Sequence, residues 1–295
     1  GKIIELFGLP NPAAEGFAVV EGSADTSTAA LYGLSMLHTL FNTINTLILI
    51  WFIKLIEKAV VWIIKPKTQD KEPFRLKYIS AGPLATPELA AEQAFDEIIH
   101  FAQISRNGLG YAKQAISADA KHFDELREKL VKYEEISDRI EYEIAAFLNG
   151  VSAGDISEAT SMKIKAMYKI IGELESLGDS GEAISRMLSR RNEHNKTFSA
   201  ETIDNINLML EKVDNAYEVM IANLTAAHEG TLSSIANAYH AEEQINVLRN
   251  ELREAEIEAL EDNQKNYQTS VYYIDIINEL EHMGDYMINI SQSLE

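Results

Sequence analysis

Cysteine is absent from the 295-residue chain, which excludes a disulfide scaffold, a thiolate metal site and a cysteine nucleophile. Proline is scarce: the 6 prolines all lie at or before Pro87, so residues 88–295 contain none, and helix after helix can run there unbroken. Glycine, at 15 residues, is too rare for a flexible or turn-rich chain. Basic residues are outnumbered, 26 Lys and Arg against 46 Asp and Glu, and the formal net charge of −20 argues against a nucleic-acid partner. Catalytic signatures are missing too: no G-x-S-x-G, Walker A loop, H-E-x-x-H or G-x-G-x-x-G occurs, so no enzyme is expected. A hydrophobic fraction of 46% is ample for a buried core and excludes wholesale disorder. The chain starts at Gly1 rather than methionine, which reads as a fragment or a processed protein.

The charge divides the chain. Residues 1–80 carry 8 basic and 7 acidic side chains, whereas residues 81–295 carry 18 and 39. Four prolines, Pro66, Pro73, Pro83 and Pro87, mark the change, and residues 66–85 read as a linker.

Before the linker, no Asp, Glu, Lys or Arg occurs from Thr26 to Ile53, a run of 28 residues. A bilayer requires roughly 20 apolar residues at a helical rise of about 1.5 Å, so a transmembrane helix is expected over about 29–53. Within it His38, Asn42 and Asn45 recur at i, i+4 and i+7 and share one face. Facing lipid they would be costly, so they are expected to pack against further membrane helices. Acidic residues precede the span (Glu15, Glu21, Asp25) and basic ones follow it (Lys54, Lys58, Lys65, Lys67, Lys71, Arg75, Lys77). The positive-inside rule then puts everything after about residue 54 in the cytoplasm. Residues 54–64 keep helical amphipathicity and read as an interfacial extension, closing a first region at 1–65.

The acidic region repeats itself. Residues 171–179, IGELESLGD, match residues 277–285, INELEHMGD, at six of nine positions and an offset of 106; EEISD at 134–138 aligns with EEQIN at 242–246 at an offset of 108. Two copies of about 105 residues are expected, at 86–195 and 196–295. Each contains three helical stretches. Thr86-Pro87-Glu88 opens the first; Asn149-Gly150 is expected to stop the second, and Asp155 with Glu158 to cap the third. Ser199 caps the fourth, which ends near Gly230. The expected fold is all-α: a transmembrane helix followed by tandem up-down three-helix bundles spanning 86–295.

The repeated helices carry an E-x-x-x-D spacing at Glu134/Asp138, Glu175/Asp179 and Glu281/Asp285, with Glu242/Asn246 as an incomplete fourth. On a helix, i and i+4 share a face, and like charges there cost roughly 0.2–0.5 kcal/mol unless a cation offsets them. Two such pairs on neighbouring helices would offer four hard oxygen ligands, a set suited to magnesium, calcium, manganese or iron. The spacing also occurs at Glu21/Asp25, Glu92/Asp96 and Glu258/Asp262, so its weight comes from recurring at one place in both copies, each time with a glycine (Gly178, Gly284) before the aspartate. A helix-interior glycine costs roughly 0.8–1.0 kcal/mol against alanine, which points to close packing or ligand approach. His100, His122, His194, His228 and His240 read as surface or packing residues. His282 adjoins Glu281, but i and i+1 do not share a face.

These segments carry a family resemblance. SMLHTLFNTINTLILIWFIKLIEKAV resembles the last membrane helix of bacterial sodium-dependent phosphate cotransporters, and ATPELAAEQAFDEI looks like the start of their C-terminal PhoU-like domain. EEISD, ELESLGD and ELEHMGD are similar to the E(D)-x-x-x-D signatures of PhoU proteins, whose tandem bundles bind multinuclear metal clusters. The resemblance implies the C-terminal fragment of a symporter in the bacterial inner membrane, carrying a cytoplasmic PhoU-like regulatory domain. Its partners would be the lipid bilayer, the transport core of the same protein and inorganic phosphate, with sodium as coupling ion; homo-oligomer formation stays open. The metal ligands it implies, divalent or ferric, are Glu134, Asp138, Glu175 and Asp179, then Glu242, Glu281 and Asp285; Asn246 departs from the pattern. The Q-S-S-S-like motifs of a transport core do not occur in the chain, so transport by this chain alone is not expected. The alternative is a membrane-tethered, metal-binding PhoU-type adaptor that regulates phosphate uptake without transporting it. A purely structural stalk fits worst, because no sustained heptads run through the repeats.

Overall fold

The structure, a computed structural model, describes residues 35–50, 52, 76–79, 86–262 and 265–295. The chain divides into two units, Gly1–Glu72 and Pro73–Glu295.

In the first unit, residues 35–50 are helical, so the i, i+4, i+7 spacing does put His38, Asn42 and Asn45 on one face; all three are exposed. Leu37, Phe41, Leu47 and Ile50 are exposed as well. The threonines bond along the helix itself: Thr39 donates to the Ser35 carbonyl at 3.0 Å, Thr43 to Thr39 at 2.8 Å and Thr46 to Asn42 at 2.8 Å. Their hydroxyls therefore need no partner outside the helix, an arrangement suited to apolar surroundings. Among the described residues, no helix is long and apolar enough to cross a membrane. The expected span, 29–53, runs past the described residues at both ends, and its interfacial extension at 54–64 lies outside them.

Among the described residues, the second unit has six helices: α1 (Pro87–Ser117), α2 (Ala120–Ser152), α3 (Glu158–Glu193), α4 (Ala200–His228), α5 (Ala236–Glu261) and α6 (Tyr267–Gln292). Five start on a side-chain cap, each worth about 1 kcal/mol: Thr86, Asp119, Ser157, Ser199 and Asn266 accept from the backbone N–H three residues on. Pro87 sits at the first helical position of α1, where its missing N–H costs nothing. α4 stops at a Gly230 of φ +69°, the left-handed conformation glycine adopts freely. Two boundaries differ from the sequence expectation. The cap of α3 is Ser157, not Asp155. α2 continues through Asn149-Gly150 to Ser152, because Val151 is buried and rewards one more turn.

Short connections make each trio an up-down bundle, with α1, α2 and α3 in mutual contact, and likewise α4, α5 and α6. The buried face of α2 shows why: Ile140, Ile144, Leu148 and Val151 recur at helical spacing, each burial contributing about 1.5–3 kcal/mol. The bundles join through α1 against α4 and α3 against α6, and one continuous apolar cluster runs through both. At the α1–α4 seam the hydroxyls of Ser105 and Tyr217 meet at 2.9 Å, fully buried. Beside them Arg106 donates to Asp214 at 2.7 and 3.0 Å and to Glu218 at 2.6 Å. The Arg106 hydrogen bonds hold the Asp214 carboxyl below its ordinary value.

Within the stretch expected as a linker, residues 76–79 are docked on α1. Glu97 is fully buried, and its Oε2 accepts from the backbone N–H groups of Lys77 (2.7 Å), Tyr78 (2.6 Å) and Ile79 (3.4 Å). Gln93 donates to the Tyr78 carbonyl at 2.7 Å, and Ile79 is 5% exposed. Hydrogen bonds to a charged group contribute about 1.5–3 kcal/mol, so Glu97→Gln is expected to destabilise the docked segment by that order. The check is tryptic cleavage after Lys77, which should speed up in E97Q; an unchanged rate would mean the carboxylate does not hold the segment.

Candidate metal centre

The carboxylate pairs lie where α2 and α3 pass closest. A Cβ added at Gly178 would clash with the hydroxyl of Ser137 and lie 2.7 Å from its Cβ, so only glycine lets the helices approach this closely. The second repeat reproduces the crossing: a Cβ at Gly284 would lie 3.1 Å from Ile245 Cδ1, and Ile245 follows Ser137 at the repeat offset of 108. The glycine of the motif is thus a packing residue in both copies.

The close crossing brings acids together in the first repeat. Single carboxylate oxygens of Glu134, Asp138 and Asp179 all lie within 4.8 Å of one another. Burial raises Glu134 above its ordinary value, and the charges of Asp138, Asp179, Glu182 and Glu135 raise it further. Burial also lifts Asp179, aided by Asp138 and Glu182 and opposed by Arg186. Glu175 is outside the three-oxygen group but feels it: burial first, then Asp179, Asp138 and Glu141, push it up. Arg139 pairs with Glu143 at 2.8 Å, and Arg186, which pairs with Glu182 at 3.1 Å, offsets part of the negative charge at Asp179. A face that disfavours its own charge takes up either protons or a cation. Three hard oxygens from two helices fit a divalent or ferric ion.

The second repeat places its residues differently. Asn246 donates to Glu242 Oε1 at 2.5 Å, and Arg249 Nη2 donates to Glu281 Oε1 at 2.6 Å. Burial raises Glu242 and Asp285. His282, which shares no helical face with Glu281, nevertheless lies near the acids: Nδ1 is 3.4 Å from Glu281 and 3.9 Å from Asp285. Glu281, His282 and Asp285 form a ligand-distance group drawn from α6 alone.

The other histidines are packed or paired: His100 with Glu97, His122 with Asp119, His194 with Tyr272 and His240 with Gln244. His228 stacks on Phe95 and bridges Glu92 and Asp96 across the α1–α4 contact.

Sequence reasoning missed Glu141, Glu182 and Arg249. Glu141 and Glu182 were findable, since they follow Glu134 by seven residues and Asp179 by three on the same helical faces.

A family model described as the PhoU domain matches residues 206–294, which cover most of the second repeat. The crystal structure of the phosphate transport system regulatory protein PhoU from Streptococcus pneumoniae is similar at a TM-score of 0.53 and 19% identity, covering 68% of this chain and 94% of that one. A share of 68% exceeds what one repeat can supply, so the likeness extends to both. The bundles have a PhoU-like fold. No curated protein matches the chain. The PhoU-like unit is all-helical among the described residues, with the acidic crossing of α2 and α3 repeated in altered form at α5 and α6.

Proposed function

We propose that this chain regulates phosphate uptake as the PhoU-like module of a sodium-dependent phosphate symporter, joined to the transport core by its N-terminal apolar helix. The observation that carries this reading is the likeness of both bundles to a phosphate transport system regulatory protein. The exposed apolar face of residues 35–50, with its self-bonded threonines, supports a place in the bilayer of the bacterial inner membrane. In that setting His38, Asn42 and Asn45 pack against the core, and the basic flank after residue 53 keeps the bundles cytoplasmic.

Glu134, Asp138 and Asp179 would hold a metal ion, with Glu175 beside them. Bound there, the ion neutralises the face and offers an electrophile to a phosphate oxygen that bare carboxylates would repel. The residues themselves would supply a pair of helices that fixes the oxygens, and an acidic neighbour at Glu141 that draws cations in.

The test is radiolabelled phosphate uptake by cells carrying the complete gene, with and without the coding sequence for residues 86–295. Sodium-dependent uptake that persists but no longer responds to phosphate supply is expected. Unaltered regulation would overturn the reading. A second reading is a membrane-tethered, metal-binding adaptor that regulates phosphate uptake without transporting it, supported by the same PhoU-like fold. It requires that the complete gene confer no sodium-dependent uptake at all.

A further inference from the structure

We infer that Arg249 is a built-in cation that closes the second carboxylate face to metal, so that only one of the two PhoU-like repeats is a metal centre. The inference rests on the reading of the first face as that centre. It begins with register. At the α2-to-α5 offset of 108, Glu134, Asp138 and Glu141 correspond to Glu242, Asn246 and Arg249; at the α3-to-α6 offset of 106, Glu175 and Asp179 correspond to Glu281 and Asp285. Four acids keep an acidic counterpart or an amide, and one position inverts its sign, Glu141 becoming Arg249.

The inverted position is not on the periphery. In the first repeat Glu141 acts on Glu175 across the helix pair. In the second, Arg249 acts on the corresponding Glu281, with Nη2 2.6 Å from Oε1 and the two side chains only 23% and 12% exposed. Its other amino group donates to Asn250 at 3.0 Å. Asn246, in the place of Asp138, donates to Glu242 at 2.5 Å instead of adding a charge. One oxygen of each carboxylate a bridging ion would need, Glu242 Oε1 on α5 and Glu281 Oε1 on α6, is therefore already engaged by a donor of the protein itself, and the Arg249 charge sits on the face. A guanidinium does not deprotonate, so it cannot be displaced the way a proton is. Expelling it from Glu281 would leave a largely buried cation without its partner, and truncating one side of such a pair is costly. The group of Glu281, His282 and Asp285 keeps Glu281 Oε2 beside His282, but it shares the Glu281 carboxylate with Arg249, whose positive charge also acts on Asp285 and offsets what a cation would seek.

The experiment is equilibrium dialysis of the full-length chain in detergent against manganese(II), with bound metal counted by mass spectrometry and folding followed by circular dichroism. Three proteins are compared: wild type, a first-face variant (E134Q/D138N/E175Q/D179N) and N246D/R249E, which copies the first face into the second. The inference expects the first-face variant to lose all bound manganese and N246D/R249E to roughly double it. It is overturned if the first-face variant keeps about half the wild-type metal and loses it on further change of Glu242, Glu281 and Asp285. It is equally overturned if folded N246D/R249E gains none. The first-face variant leaves the second face untouched, so it decides the matter even where N246D/R249E does not fold. Wild type without metal would instead overturn the reading of the first face; a gain in N246D/R249E would then still uphold the role of Arg249.

Discussion

Converting Glu134 and Glu175 to glutamine and Asp138 and Asp179 to asparagine is expected to abolish metal binding and, in the metal-free protein at neutral pH, to raise the melting temperature. The sign follows from the direction of the shifts. Glu134, Glu175 and Asp179 are all raised in the fold, by burial first and then by neighbouring carboxylates, Asp138 among them in every case. A carboxyl raised by folding adds its stability below its ordinary value, 4.5 for Glu and 3.8 for Asp, and loses it as pH climbs through the raised value. At neutral pH the empty face therefore works against the fold. Two i, i+4 like-charge pairs at about 0.2–0.5 kcal/mol each, kept small by solvent screening, correspond to a gain of roughly 1–4 °C when removed. Isosteric amides hold helix propensity nearly constant, which alanine would not. Metal reverses the order: the wild type should be stabilised by added manganese and the variant should not, and the wild-type gain should fade as acid protonates the ligands. Asp214, lowered by Arg106, works the other way, its stability being present above its ordinary value and lost as pH falls through the lowered one. Only the difference between variant and wild type isolates the face. A metal-free variant that melts below wild type at neutral pH would sink the repulsion argument.

The second large effect is expected at Gly178→Ala. The new methyl would collide with Ser137, whose side chain is almost fully buried and has little room to retreat. Overpacking of this kind costs about 1–3 kcal/mol, and the better helix propensity of alanine returns only about 1. A net loss of up to roughly 2 kcal/mol should appear in the urea midpoint. Gly284→Ala meets the end of the Ile245 side chain at 3.1 Å, which can give way, and should cost distinctly less. Ser137→Gly in the G178A background should restore stability. The same clash should lower metal affinity, since Ser137 and Gly178 immediately precede Asp138 and Asp179, and parting the helices parts those carboxylates. If G178A proves as stable as wild type, the close crossing does not constrain the motif.

Much of this arrangement can be read from residue types. The caps at Thr86 and Ser199 and the stop near Gly230 are local signals, and they set helix ends as expected. Where tertiary burial competes, local signals lose: Val151 carries α2 past the Asn149-Gly150 stop. The carboxylates of the first face were legible because a fixed helical period forces i and i+4 together. Asn246 stood out as a missing charge, but Arg249 did not, because its partner Glu281 lies on another helix. Neither was the Glu97 clasp legible, since a lone glutamate on a helix gives no sign that three successive backbone N–H groups from upstream will close on it.

The apolar cluster shared by the two bundles has a thermodynamic consequence. A core without a seam unfolds as one cooperative unit, so the repeats cannot melt separately. Free energy gained at one end is then felt at the other. A metal held by α2 and α3 at a hundred times its dissociation constant adds about 2.7 kcal/mol to the whole unit. Amides buried in α6, in the other repeat, should exchange with solvent about a hundredfold more slowly for it.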